Sequence, residues 1–313
     1  MDHLYLLSWE SVILALNNNS KSTISFRTTK ISEHEGKVKT WGCRGSIAIS
    51  SPECQKYGGN TTCFEIKSDC IPEGTKLMID AGTGFVQAGH SYLPELKNGN
   101  LRYVLLFTHY HWDHIMGLTI APPTFVDDIP MDMYGPQDEK VQLQDMISHL
   151  LQRPYFPVDS KKITHKVKFK SFLDFDVNVI LCHQEGGFAV LKYDRYMKLK
   201  DGEKGLPING TSYPIDECLL IKMAKTNHGN STCITYRFEE KPTGKVFVLC
   251  TDHENTAGIS ADLKKHFENA DLAIIDGQYD EAKIVSTQAE YEYLAWTITA
   301  AALFGIIIHQ ASR

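Results

Sequence analysis

The chain has 313 residues, 42% of them hydrophobic, and a formal net charge of −6 from 32 Lys and Arg against 38 Asp and Glu. That length builds a full core in one large domain or two small ones. No lysine- or arginine-rich run appears, which weighs against duplex binding without closing off a local basic groove. Eight cysteines are scattered without a C-x-x-C pair, so a disulfide-stapled scaffold is excluded in favour of reduced, mostly buried thiols and a cytoplasmic location.

In chain order, "LYLLSWESVILAL" is apolar but broken by Ser8, Glu10 and Ser11, and is too short to span a bilayer. It reads as a short helix on an N-terminal extension covering residues 1–36, ahead of one hydrolase-like domain over 37–313. From Lys37 short apolar runs alternate with glycine-rich turns. "VKTWGC", "TCFEI", "KLMIDAG" and "YVLLFTH" read as strands bounded by "RGS", "YGGN", "PEG" and "NGN". "DEKVQLQDMISHLLQ" has helical spacing and stops before Pro154. "KVKFKSF", "NVILCH", "FAVLKY", "STCITYRFE" and "KVFVLCTD" return to strands. "ADLKKHF" is helical, "DLAIIDGQ" a strand, "EYEYLAWTITAAALF" a helix, and "GIIIH" a last strand. This order predicts an α/β sandwich.

Two stretches resemble each other, "GGNTTCFEI" (Gly58–Ile66) and "HGNSTCITY" (His228–Tyr236). Shared turn chemistry explains them as well as an internal duplication into two facing halves does.

Special polar residues gather at strand ends. His109, His111, Asp113 and His114 follow "YVLLFT", His228 follows "LLIKMAKTN", Asp252 follows "KVFVLCT", and His309 follows "GIII". Imidazole and carboxylate are costly to bury unpaired, and a divalent cation removes that cost. The i, i+2 spacing of His109 and His111 lets both reach one ion from extended backbone. Asp113 and His114, on the following turn, aim at a second ion, and Asp252 has the chemistry of a bridge.

"HYHWDH" resembles the H-x-H-x-D-H signature of the metallo-β-lactamase superfamily, with His228, "CTDHE" and His309 in that superfamily's order. The similarity is closest to the phosphodiesterase-like branch of ribonuclease Z and the PhnP-type cyclic phosphodiesterases. "WGCRGS", "YGGNTTC", "IDAGTG" and "PYFPV" also look like that branch. The resemblance implies a four-layer αββα sandwich and two divalent metal ions, zinc in the first instance, with manganese or iron as alternatives. It implies that His109, His111 and His228 hold one ion, that Asp113, His114 and His309 hold the other, and that Asp252 bridges them. One departure is that only four residues follow His309, where the family pattern continues, often with a proline.

Two such ions would lower the pKa of a water between them and polarise a phosphoryl or carbonyl oxygen. Asp113 is the expected acceptor of a hydrogen bond from the nucleophile, and His253 the expected proton donor to the leaving oxygen. Asp80 is expected to orient a ligand histidine through its free ring N–H. Cys250 is expected as a buried apolar group, and Tyr110 and Trp112 stand open between the pocket mouth and the core. The expected substrate is a small or cyclic phosphodiester. A glyoxalase II-like thioesterase and a tRNA 3′-processing nuclease are alternatives, and a metal-binding sensor without turnover is the non-enzyme reading. Nucleic acid is not favoured as a partner, no membrane is expected, and a homodimer is left open.

Overall fold

The computed structural model describes residues 6–8, 12–15, 36–52, 58–154, 156–202, 205–254 and 260–275. In chain order its strands begin with β1 (Leu6–Ser8), β2 (Val12–Ala15), β3 (Lys37–Gly42), β4 (Cys63–Lys67), β5 (Thr75–Ile79), β6 (Arg102–Leu106), β7 (Met131–Pro136) and β8 (Val167–Phe172). They continue with β9 (Asn178–His183), β10 (Gly187–Lys192), β11 (Leu206–Ile208), β12 (Thr211–Tyr213), β13 (Leu219–Thr226), β14 (Cys233–Glu240), β15 (Lys245–Cys250) and β16 (Leu272–Ile275). The helices are α1 (Gly84–Tyr92), α2 (Trp112–Ile115), α3 (Pro122–Phe125), α4 (Leu143–Leu150), α5 (Lys161–Thr164), α6 (Tyr193–Asp201) and α7 (Ala261–Phe267).

Among the described residues, one sheet runs β1-β3-β4-β5-β6-β7-β8 and the other β10-β9-β13-β14-β15-β16-β2. Alternation along the strands divides their side chains between two layers. Leu77, Ile79, Val104 and Leu106 point inward and meet Ile180, Leu219, Ile221, Phe238 and Leu249 of the opposite sheet. Met78, Tyr103, Leu105 and Phe107 point outward, beneath Phe85 and Ala88 of α1 and Leu143 and Ile147 of α4. Burial on both faces is why "YVLLF" is apolar throughout. On the far side, Leu181 and Leu220 pack on Tyr196 of α6, while Val248 and Cys250 pack on Leu263 and Phe267 of α7. The layers are therefore helix, sheet, sheet, helix, the αββα sandwich. Each fully buried Leu, Ile or Phe contributes about 1.5–3 kcal/mol relative to exposure.

The expected N-terminal helix is corrected. β1 pairs antiparallel with β3, Leu7 opposite Val38, and β2 pairs parallel with β16, Ile13 opposite Ala273. Apolar runs this short carry no periodicity that separates strand from helix, and the unpaired edges of β3 and β16 offer a ladder of backbone partners. The helix expected over residues 138–152 is shorter as well. Asp138 and Val141 exchange backbone hydrogen bonds in a turn, at 3.2 and 2.8 Å, before α4 begins. Residues 290–309, read as a helix and a last strand, lie outside the described residues. No helix among the described residues is long and apolar enough to cross a membrane.

The two resembling stretches occupy matching places. β4 lies antiparallel between β3 and β5, and β5 then pairs parallel with β6. β14 lies antiparallel between β13 and β15, and β15 then pairs parallel with β16. Turn chemistry alone does not require this correspondence, which an internal duplication explains. Its consequence is that the C-terminal ends of β5 and β6 share one edge of their sheet, and those of β13 and β15 share one edge of theirs. Ile234 N–H donates to Thr108 O at 3.0 Å where these edges meet.

Candidate metal centre

β6 ends at Leu106, and the chain leaves the sheet through Thr108 to present His109. It then turns into α2, where His114 N–H donates to His111 O at 2.9 Å. That single turn swings Asp113 and His114 back toward the sheet. From the second sheet, β13 delivers His228 and β15 delivers Asp252. Six of the seven predicted ligands converge in two overlapping groups, His109, His111, His228 and Asp252 in one, Asp113, His114 and Asp252 in the other. Within each group the donor atoms lie within 4.8 Å of one another. Asp252 belongs to both. His309, the seventh, lies outside the described residues.

Each of the four histidines turns one ring nitrogen into the cluster and the other toward a neighbour. His114 Nε2 is 2.8 Å from Asp252 Oδ2, and its Nδ1 is 2.7 Å from Asp80 Oδ2. His109 Nε2 is 3.1 Å from Asp252 Oδ2, and its Nδ1 is 3.1 Å from Thr108 Oγ1. His111 Nδ1 meets His228 Nε2 at 3.0 Å, while its Nε2 meets Ser231 Oγ at 2.9 Å. His228 Nδ1 faces Glu254 Oε1 at 3.8 Å. Fixing the outer nitrogen sets ring orientation and tautomer, as partners of metal-bound histidines do. Asp80 is itself fixed, accepting from Thr108 N–H and Thr108 Oγ1, both at 2.8 Å.

These residues fit a divalent cation. His109 Nε2 and His114 Nε2 are buried without a hydrogen bond, although Asp252 Oδ2 stands beside both. Lone pairs and carboxylate oxygens aimed at common points are costly together in the absence of a positive charge. Burial, followed by the neighbouring His114, lowers the pKa of His109, and burial, followed by His228, lowers that of His111. At Asp252 burial opposes ionisation, but contact with His109 and His114 prevails and holds the carboxyl well below its usual range. At His114 burial likewise opposes charge, but Asp80 and Asp252 outweigh it and raise the pKa well above the ordinary value.

Backbone strain gathers at the same place. Ser46, Asp80 and Asp252 have φ of +63°, +59° and +48°, a region that non-glycine residues seldom occupy. Ser46 N–H donates to Asp113 Oδ2 at 2.8 Å. Gly82 permits the close approach: a Cβ there would lie 2.1 Å from Asp113 O and 2.4 Å from Thr61 Oγ1.

The remaining expectations divide. His253 is buried, its Nδ1 2.5 Å from Thr226 Oγ1 and its Nε2 unpartnered. Cys250 is buried against α7. Tyr110 donates to Pro136 O at 2.6 Å and packs in the core, whereas Trp112 is 67% exposed. Thr108, Ser231, Ser46 and Glu254 join the site without a signal of metal-ligand chemistry in the sequence. Ser231 lies in the second repeat, which was the one available signal. The others act through contacts that no local pattern encodes.

Residues 57–127 match the family model described as Metallo-beta-lactamase superfamily. A Ribonuclease Z of Lachnospira eligens is 25% identical over 251 residues, covering 72% of this chain and 73% of that protein. The short form of human tRNase Z aligns over 80% of this chain and 82% of its own at 17% identity, with a TM-score of 0.43. Unliganded yeast PDE1 aligns over 71% and 68% at 16% identity, with a TM-score of 0.35. The segment that matches the metallo-β-lactamase superfamily model encloses His109, His111, Asp113 and His114, four of the six converging donors, and the chain is similar over most of its length to a ribonuclease Z.

Proposed function

We propose that the protein is a metal-dependent phosphodiesterase acting on a small or cyclic phosphodiester. The observation that carries this reading is the pair of donor groups sharing Asp252. His109, His111, His228 and Asp252 would hold one ion, Asp113, His114 and Asp252 a second, with His309 as a further ligand. Zinc suits this nitrogen and oxygen set, and manganese or iron is compatible with it. When bound, such ions generate a nucleophile from water at neutral pH and stabilise charge on a phosphoryl oxygen.

The chain's own residues orient the reaction. Asp113, held by Ser46 N–H, accepts a hydrogen bond from the attacking water. His109 and His114 form a buried floor, and exposed His111 marks the side open to substrate. The water oxygen bonds to phosphorus, one ester P–O bond breaks, the water loses a proton and the leaving oxygen gains one. We assign that last proton to solvent, because His253 is buried against Thr226. His253 then supports the end of β13.

A second reading, an RNA phosphodiester, is favoured by the similarity to a ribonuclease Z. The net charge of −6 without a basic run supports the small substrate instead. The test is hydrolysis of bis(p-nitrophenyl) phosphate by metal-loaded protein, with Asp113→Ala, a thioester and a tRNA precursor alongside. Turnover of the diester that Asp113→Ala and chelator abolish supports the reading. Turnover of the thioester alone, or two bound ions with no hydrolysis, overturns it in favour of a thioesterase or a sensor.

A further inference from the structure

The donor cluster is flanked by apolar side chains that face solvent. Trp112, 67% exposed, stands in the sequence between His111 and Asp113. Ile47, 60% exposed, follows Ser46, whose N–H bonds Asp113. The two therefore stand one residue from either end of the same hydrogen bond. The loop carrying Ile47 is pinned along its length. Arg44 N–H donates to Asn60 O at 3.0 Å, Arg44 Nε to Ile47 O at 2.9 Å, and Ile49 N–H to Gly59 O at 3.0 Å. Gly59 lies so close that a Cβ would fall 1.6 Å from Ile49 O. A fixed loop holding an isoleucine in water, joined by one hydrogen bond to the turn that carries an exposed indole, buries neither and gains nothing in stability from them.

Resting on the phosphodiesterase reading, we propose that Trp112 and Ile47 receive the non-reacting ester group of the substrate. The preferred substrate is then a diester whose second group is a flat aromatic ring or nucleobase. An exposed indole offers a face for stacking, which suits such rings irrespective of their edge chemistry. Its place in the sequence between His111 and Asp113 puts the indole on the same short turn as donor residues.

Two substrates isolate this contact, because they share a p-nitrophenolate leaving group and differ in the other ester: bis(p-nitrophenyl) phosphate and methyl p-nitrophenyl phosphate. The full-length, metal-loaded protein is compared with Trp112→Ala and Trp112→Phe, with metal content and oligomeric state measured for each. The ratio of kcat/KM for the aryl over the methyl diester should fall about tenfold in Trp112→Ala, chiefly through KM, and be restored in Trp112→Phe. An unchanged ratio overturns the proposal, as does a change of oligomeric state in its place, which would make this face a contact between copies. If the wild type hydrolyses neither diester, the phosphodiesterase reading fails, and adenosine 5′-monophosphate decides the rim separately. Quenching of tryptophan fluorescence that Trp112→Phe removes supports it, and no quenching ends it.

Discussion

Asp80 and Asp252 hold opposite nitrogens of one imidazole: Asp80 Oδ2 lies 2.7 Å from His114 Nδ1, and Asp252 Oδ2 lies 2.8 Å from its Nε2. The two aspartates also match in position. Each follows the strand paired with a repeated strand, β5 beside β4 and β15 beside β14, and each has a left-handed backbone. One member of the pair orients the ring from behind and the other faces the donor cluster. Asp80→Asn keeps the shape and removes the charge behind His114. Metal affinity should fall about 10–100-fold with the fold retained, as measured by chelator competition and circular dichroism.

Loading the site should stabilise the protein, since the donors are crowded only in the folded chain. Zinc at one hundred times its dissociation constant is worth about 2.7 kcal/mol, or roughly 5 °C in Tm for a chain of this size. Differential scanning fluorimetry with zinc, and then with excess chelator, reads this directly. A Tm indifferent to both would mean that the cluster holds no cation.

Gly82→Ala tests the packing that seats Asp113. The new Cβ would meet Asp113 O at 2.1 Å and Thr61 Oγ1 at 2.4 Å, so backbone must move. Overpacking of this kind costs about 2–3 kcal/mol. Tm should fall by roughly 4–5 °C, and metal affinity should fall with it, because the segment displaced carries two donors.

Acid stability should depend on His266. Its ring is buried in α7, and burial, reinforced by Arg237 and Lys222, lowers its pKa to about 3. The folded state therefore resists a proton that the unfolded chain accepts near pH 6.5. This contribution is intact above about pH 6.5 and is lost as pH falls toward 3, at up to about 1.4 kcal/mol per pH unit. His266→Leu should flatten the urea-unfolding profile between pH 6.5 and 4. Glu239, whose burial is outweighed by bonds from Lys222, Lys241 and Arg237, has a pKa of about 2. Its loss belongs to a lower window, below about pH 4.5.

The cluster at His109–His114 was legible because four chemically expensive side chains sit together after a strand. His228 and Asp252 were legible for the same reason, one at a time. What joins them was not. Ser231 lies 120 residues from His111, and Asp80 34 residues from His114, so only the closed sandwich reveals either contact. Strands buried on both faces announced themselves as apolar runs, whereas β7, "MDMYGP", was hidden by its glycine and proline. α1 opens on glycine without a capping side chain and gave no start signal. Tyr110 and Trp112 look equivalent in the sequence. The carbonyl of Pro136 separates them by giving the tyrosine hydroxyl a partner inside the core.

The division of the donors between two sheets also sets an order of events. On a growing polypeptide, His111 is made 117 residues before His228, and throughout that interval two of the six converging donors, His228 and Asp252, do not yet exist. An ion captured by the complete set is captured late, after the second sheet has closed on the first. Metal uptake then reports the end of folding rather than guiding its beginning.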